Sequence, residues 1–209
     1  MTKKDPLARQ GYHHGNLKEA LVIAARKLIA ERGPAGFTLV EAARLAGVSP
    51  AAPYRHFKDR AALVAEVAQQ GFQEFGKRMG AAAKAAATDK EGFMRMGDTY
   101  LAFAREEPGY YAAMFSGGYP LDTAEKVGQA TFDGLANAIR GVAHHMRAEG
   151  KGEIVNIDGL AYYVWAMSHG IATLSAAGFL PDREPRPSPD VLLQDGVEAL
   201  VRGSLAPPK

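Results

Sequence analysis

The segment GVSPAAPYRHFKD, residues 47–59, gathers side chains suited to holding a polyanion. Ser49, Pro50, Ala51 and Ala52 are small, so a backbone carrying them can come close to base edges in a DNA groove. Tyr54 and His56 supply donors for phosphate, and Lys58 adds a cation. Arg55 carries a forked donor that can read a base, whereas Ala51 and Ala52 offer only methyl contact, for example to a thymine methyl. Further upstream, Thr38 places a hydroxyl and free backbone N–H groups at a helix start, which favours phosphate. Most contacts of this kind position a protein, and few read sequence.

Other chemistry is poorly supplied. The chain has no cysteine, which excludes disulfides, thiolate metal sites, iron–sulfur clusters and a cysteine nucleophile. The pairs His13-His14 and His144-His145 are adjacent, and neighbours on a helix point about 100° apart. A helical zinc site wants i,i+4 spacing instead. There is no G-x-S-x-G, no phosphate-binding Gly-Lys loop, no G-x-G-x-x-G and no H-E-x-x-H. No catalytic residue, metal or cofactor is expected, and the chain does not read as an enzyme. A small-molecule pocket would be apolar with few polar groups. Phe103, Met114, Trp165 and His169 are the candidates for lining one. A core histidine with a satisfied hydrogen bond is the competing reading of His169.

These residues need helices to place them. Leu17, Leu21, Ala24 and Leu28 follow the helical repeat from a capping box at Asn16 and Glu19, and Gly33-Pro34 ends that helix. Thr38 and Glu41 form a second box, and Gly47 closes its short helix. Ser49 is then a third N-cap with Pro50 at the first helical position. Three helices, the last two short and joined at a glycine, are the layout of a helix-turn-helix. Asp59 caps a fourth helix with Leu63, Val67 and Phe72 on its apolar face; Gly76 and Gly80 predict an end or kink. Helices are then expected near 90–106, 110–115, 123–148, 155–177 and 190–204, with a proline-rich connection at 178–190. No alternating strand pattern or internal repeat is present.

The chain of 209 residues is 47% hydrophobic and 23% charged, the balance of a globular protein rather than a disordered one. Its net charge of +2 hides an asymmetry. Residues 1–60 hold eleven Lys/Arg against five Asp/Glu, and the remainder is acidic. A basic end on an acidic body suits a polyanion partner. The uncharged stretch 160–180 has the length of a membrane span, but His169, serines and glycines make a buried helix the better reading. With a polar, basic start and no signal-peptide pattern, a cytoplasmic protein without membrane contact is expected.

The segment from Tyr12 to Phe72 resembles the DNA-binding region of TetR-family transcriptional regulators. The likeness rests on Tyr12-His13-His14-Gly15-Asn16-Leu17, on Gly33 with Phe37-Thr38-Leu39, on Ala43 with Ala46-Gly47-Val48-Ser49, and on Tyr54-Arg55-His56-Phe57. Farther on, Trp165, His169 and Gly170 are similar to a branch of that family named for its Trp-His-Gly motif, as are Tyr100, Phe103, Pro108, Tyr111, Met114 and Phe115. The resemblance implies an all-α homodimer. Residues 1–58 would form the helix-turn-helix domain with a basic arm (Lys3, Lys4, Arg9), and residues 59–209 a helical ligand-binding and dimerisation domain. It implies palindromic operator DNA as one partner and a small, hydrophobic effector as another, with release of DNA on effector binding. The Ala/Ser/Gly-rich stretch 166–178 and the last helix suit a dimer seam. Pro53 departs from the family, which commonly has Leu or Ile there, and it removes a backbone donor close to the start of the third helix. A helical binding or scaffold protein that does not read DNA is the alternative.

Overall fold

A computed structural model describes residues 17–115, 122–179 and 188–206, with side chains from residue 128 onward in the second segment. The arm residues Lys3, Lys4 and Arg9, the pair His13-His14 and the cap at Asn16 lie outside the described residues. Eight α-helices and one short 3-10 helix are found among those described: α1 (Leu17–Arg32), α2 (Leu39–Leu45), the 3-10 helix (Ala52–Arg55), α3 (Arg60–Lys84), α4 (Asp89–Glu106), α5 (Pro108–Phe115), α6 (Asp122–Ala148), α7 (Ile157–Ala176) and α8 (Pro189–Gly203). Among the described residues, an isolated antiparallel bridge also joins Ile154 and Leu205. The fold class is all-α, as the sequence predicts.

Local signals set most boundaries. Gly33 takes φ +75° after α1 and donates its N–H to the Ile29 carbonyl at 2.8 Å. Thr88 accepts from the Glu91 N–H and starts α4. Asp59 accepts from the Ala62 N–H at 2.8 Å and starts α3.

Beyond the third helix, two boundaries differ from the expectation. α3 does not end or kink at Gly76 or Gly80 but runs unbroken to Lys84. Glycine costs a helix about 1 kcal/mol relative to alanine. Here Phe75 and Met79, one turn apart and both buried, extend the stripe begun by Leu63 and Val67, and their packing outweighs that cost. α5 begins at Pro108 rather than after it, because proline is pre-set for the first helical position. Gly109 is required there: a Cβ would fall 2.2 Å from the Arg26 carbonyl oxygen, so α5 lies hard against α1.

The buried apolar residues fall into two clusters that divide within α3. Its first turns, with Leu63, Val64, Val67 and Ala68, complete a head core with α1, α2, Phe57 and Ala113. Its later turns, with Phe75 and Met79, belong to a body core shared with α4 to α8. The uncharged stretch becomes α7, which buries Leu160, Ala161, Val164, Ser168 and Ala172. Ser168 satisfies its hydroxyl on the Val164 carbonyl at 2.8 Å. No helix among the described residues is long and apolar enough to cross a membrane.

Candidate nucleic-acid interface and apolar clefts

At the start of α2 the predicted capping box is complete. Thr38 Oγ1 accepts from the Glu41 N–H at 3.2 Å, and Glu41 Oε2 accepts from the Thr38 N–H at 2.8 Å. The Thr38 hydroxyl also donates to Glu41 Oε2 at 2.9 Å, so this hydroxyl is engaged in the cap although Thr38 is exposed. That hydroxyl first, then the Thr38 N–H and the Arg32 guanidinium, hold the Glu41 carboxyl below its ordinary range. α2 ends where Gly47 takes φ +72°. The Val48 N–H reaches the Ala43 carbonyl at 3.0 Å and the Gly47 N–H the Arg44 carbonyl at 3.1 Å, the paired bonds of a Schellman turn.

The third helix departs from the sequence reading. Ser49 does not cap it; Ala51 is the N-cap, with no side-chain bond, and the element is a single 3-10 turn. Pro53 is the cause. In an α-helix beginning at Pro50, the residue-53 N–H would bond the Ser49 carbonyl, and proline has no N–H to give. The Ala52 N–H takes that carbonyl instead at 3.0 Å, an i→i+3 bond. The Pro53 carbonyl then accepts from both His56 and Phe57 at 2.9 Å.

This turn divides its side chains cleanly. Pro53 and Phe57 are buried in the head, whereas Ser49, Pro50, Ala51, Tyr54, Arg55, His56 and Lys58 are exposed and Ala52 half-buried. Tyr54 is 59% exposed although it stands next to the buried Pro53. The one acid in 47–59, Asp59, is tied up capping α3. Among the described residues, neither Arg55 nor Lys58 is paired with a carboxylate. Arg60, which the sequence did not single out, donates to the Ala35 carbonyl at 2.8 Å and fixes the α1–α2 loop to the start of α3. The result is a rigid, acid-poor, donor-rich edge.

The four pocket candidates separate. Phe103 is wholly buried, 5.1 Å from the Phe75 ring and beneath the Arg78 guanidinium. Met114 is wedged against Gly71, where a Cβ would lie 2.9 Å from its sulfur. Trp165 lines an apolar cleft of ≈ 400 Å³, mouth included, together with Phe72, Phe115 and Phe132. A second cleft, ≈ 440 Å³ with its open mouth included, lies between α4 and α8 and is lined by Phe93, Leu193 and Val197. Met79, Tyr100 and Leu135 wall both clefts.

His169 stands behind that shared wall. Its Nδ1 lies 2.8 Å from the Tyr111 hydroxyl and 3.1 Å from the Tyr100 hydroxyl, and its ring stacks on Tyr111. Burial pushes His169 below the ordinary histidine range, so it is neutral at pH 7. A neutral imidazole accepting at Nδ1 takes one hydroxyl proton, and the shorter contact is that of Tyr111. Burial raises both tyrosines, Tyr100 with a further contribution from Tyr111. Sequence spacing could not reveal this triad, because Tyr100, Tyr111 and His169 come from three separate helices. No cluster of potential metal ligands occurs among the described residues.

Comparison with known proteins places both parts of the chain. Residues 21–67 match the family model for bacterial regulatory proteins, tetR family. Residues 93–200 match the model for the tetracyclin repressor-like C-terminal domain. No curated protein matches. A Rhodococcus sp. RHA1 protein of unknown function is similar in structure at 28% identity and TM-score 0.76, over 95% of this chain and 100% of its own. A bacterial regulatory protein in the tetR family from Rhodococcus RHA1 shares the fold at 15% identity and TM-score 0.67, over 91% and 98%. So does the transcriptional regulator FadR from Bacillus subtilis, solved with stearoyl-CoA, at 18% identity and TM-score 0.65, over 88% and 98%.

Proposed function

The chain belongs to the tetR family of bacterial regulatory proteins, and from that premise we propose that it represses transcription by binding palindromic operator DNA as a homodimer, until a small hydrophobic effector releases it. Family membership makes it a transcription regulator rather than an enzyme. The observation that carries the finer reading is the exposed edge from Ser49 to Lys58, pinned to the head core by Pro53 and Phe57.

On that edge Tyr54, His56 and Lys58 hold phosphates, as do the N–H groups opening α2 behind Thr38. Ser49, Pro50, Ala51 and Ala52 let the backbone approach the bases, and Arg55 reads one. Lys3, Lys4 and Arg9 extend the contact into the minor groove. With so few base contacts, DNA shape carries part of the specificity. Two copies paired through α7 and α8 present two such edges to half-sites about 34–36 Å apart. Exposed Tyr163, Leu174 and Val191 on these helices supply apolar surface for the pairing. The effector occupies the clefts, with Trp165 in the wall and His169 behind it. Its binding shifts the spacing of the heads, and coupling of about 1–3 kcal/mol weakens DNA binding ~5–150-fold. That the Bacillus subtilis regulator of the same fold forms a complex with stearoyl-CoA supports a long-chain effector for this one.

Selection from a random duplex library tests the reading. The full-length protein should enrich a palindrome, and Arg55→Ala should relax preference at one base pair of each half-site by about 1–3 kcal/mol. An unchanged preference in the variant removes Arg55 from readout. Enrichment of no sequence by the wild type favours the helical binding or scaffold protein.

A further inference from the structure

The two clefts carry a more specific statement about the ligand, which rests on reading them as the effector site. They meet at a partition of Met79, Tyr100 and Leu135. Met79 is unbranched with three rotatable bonds, the kind of side chain that swings aside without disturbing backbone. With Met79 turned, the partition is reduced to Tyr100 and Leu135 and the two clefts can join past it. A slender, flexible chain fits such a narrow passage better than a rigid polycycle.

The charge around the clefts is one-sided. Among the described residues lining either cleft, Asp98 is the sole charged one. It stands exposed at the rim of the α4–α8 cleft, and among the described residues it is in no ion pair. No described lysine or arginine lines either cleft to receive a carboxylate or phosphate. The wall of the other cleft is aromatic, with Phe72, Phe75, Phe115, Phe132 and Trp165.

The geometry points to a linear cationic amphiphile as the ligand: an ammonium group at Asp98 and an unbranched alkyl chain running past Met79 to Trp165. The chain contains a single tryptophan, so the emission comes from Trp165, in the wall of the far cleft and beside Tyr100.

The test uses full-length protein without DNA, titrated with alkyltrimethylammonium ions below their micellar concentrations. Calorimetry gives affinity and tryptophan emission gives reach. Binding should tighten about fourfold for each methylene buried. A butyl chain should leave the emission unchanged, and a dodecyl chain should shift it. Dodecanoate should bind more weakly than dodecyltrimethylammonium. Asp98→Asn should weaken the ammonium about two- to fivefold and leave dodecanol unaffected. Dodecanoate binding as tightly as the ammonium overturns the charge assignment, and an unmoved emission with the dodecyl chain overturns the passage. Binding of none of the three probes overturns both, together with the effector site. The reading of the head as a DNA binder stands apart, since the library selection decides it.

Discussion

The head and the body are both helical, but they are filled differently. Six of the sixteen buried residues of the head core are alanine and none is methionine. Its helices approach closely on small and branched side chains that have few alternative rotamers. The body core holds Met79, Met96 and Met114 with Phe75, Phe93, Phe103 and Tyr100, and it is split by two clefts. On the proposed function, the surface offered to DNA sits on the more tightly packed part, and the part offered to a ligand is built from side chains that repack. The contrast gives one region few alternative packings and the other several, a division of labour that the proposed coupling between them would use.

Volume changes are the strongest way to break this comparison. Ala42 on α2 is fully buried in the head core, so Ala42→Leu should destabilise the protein by about 1–3 kcal/mol through overpacking. Met79→Leu, a near volume-conserving change in the body, should cost less than about 1.5 kcal/mol. Denaturant titration of both variants checks the pair. A loss at Met79 as large as that at Ala42 would contradict an adaptable body core, because the smaller volume change would then cost as much as the larger.

A smaller effect sharpens the contrast by pH. The head core contains no titratable side chain, whereas His169 lies in the body with its protonation depressed by burial. Because its folded pKa lies below the ordinary value near 6.5, the unfolded chain binds the proton more readily. Its contribution is therefore full above about pH 6.5 and is lost as the pH falls below that value. His169→Asn keeps an acceptor for the Tyr111 hydroxyl but does not titrate. Thermal melts between pH 5 and 7.5 should show a shallower acid loss in the variant than in the wild type. Parallel curves would remove His169 as the source.

How much of this was legible in the sequence depended on the range of the cause. The capping box at Thr38 and Glu41 and the cap at Asp59 are local, and each formed where its residues stand. Gly47 gave the turn for the same reason. The signal Ser49-Pro50 misled because a second proline three residues later withdraws the donor that an α-helix needs, so a 3-10 turn results. The passage of α3 through Gly76 and Gly80 was not legible, because it depends on Phe75 and Met79 meeting α4 and α6, far off in the chain. The donor-bearing residues 49–58 could be read as a site because they are contiguous. The clefts could not, since Met79, Leu135 and Leu193 converge only through the fold. That is why Trp165 lines a cleft while Phe103 and Met114, equally apolar in sequence, pack inside the core.

The central claim is that the exposed edge of the head reads operator DNA. Capture of fragmented genomic DNA by the purified full-length protein at near-physiological salt, followed by sequencing, tests it most directly. The account predicts enrichment of a few palindromic sites whose half-site centres lie about one helical turn, ~34–36 Å, apart. Recovery that is weak and uniform across the genome would contradict it.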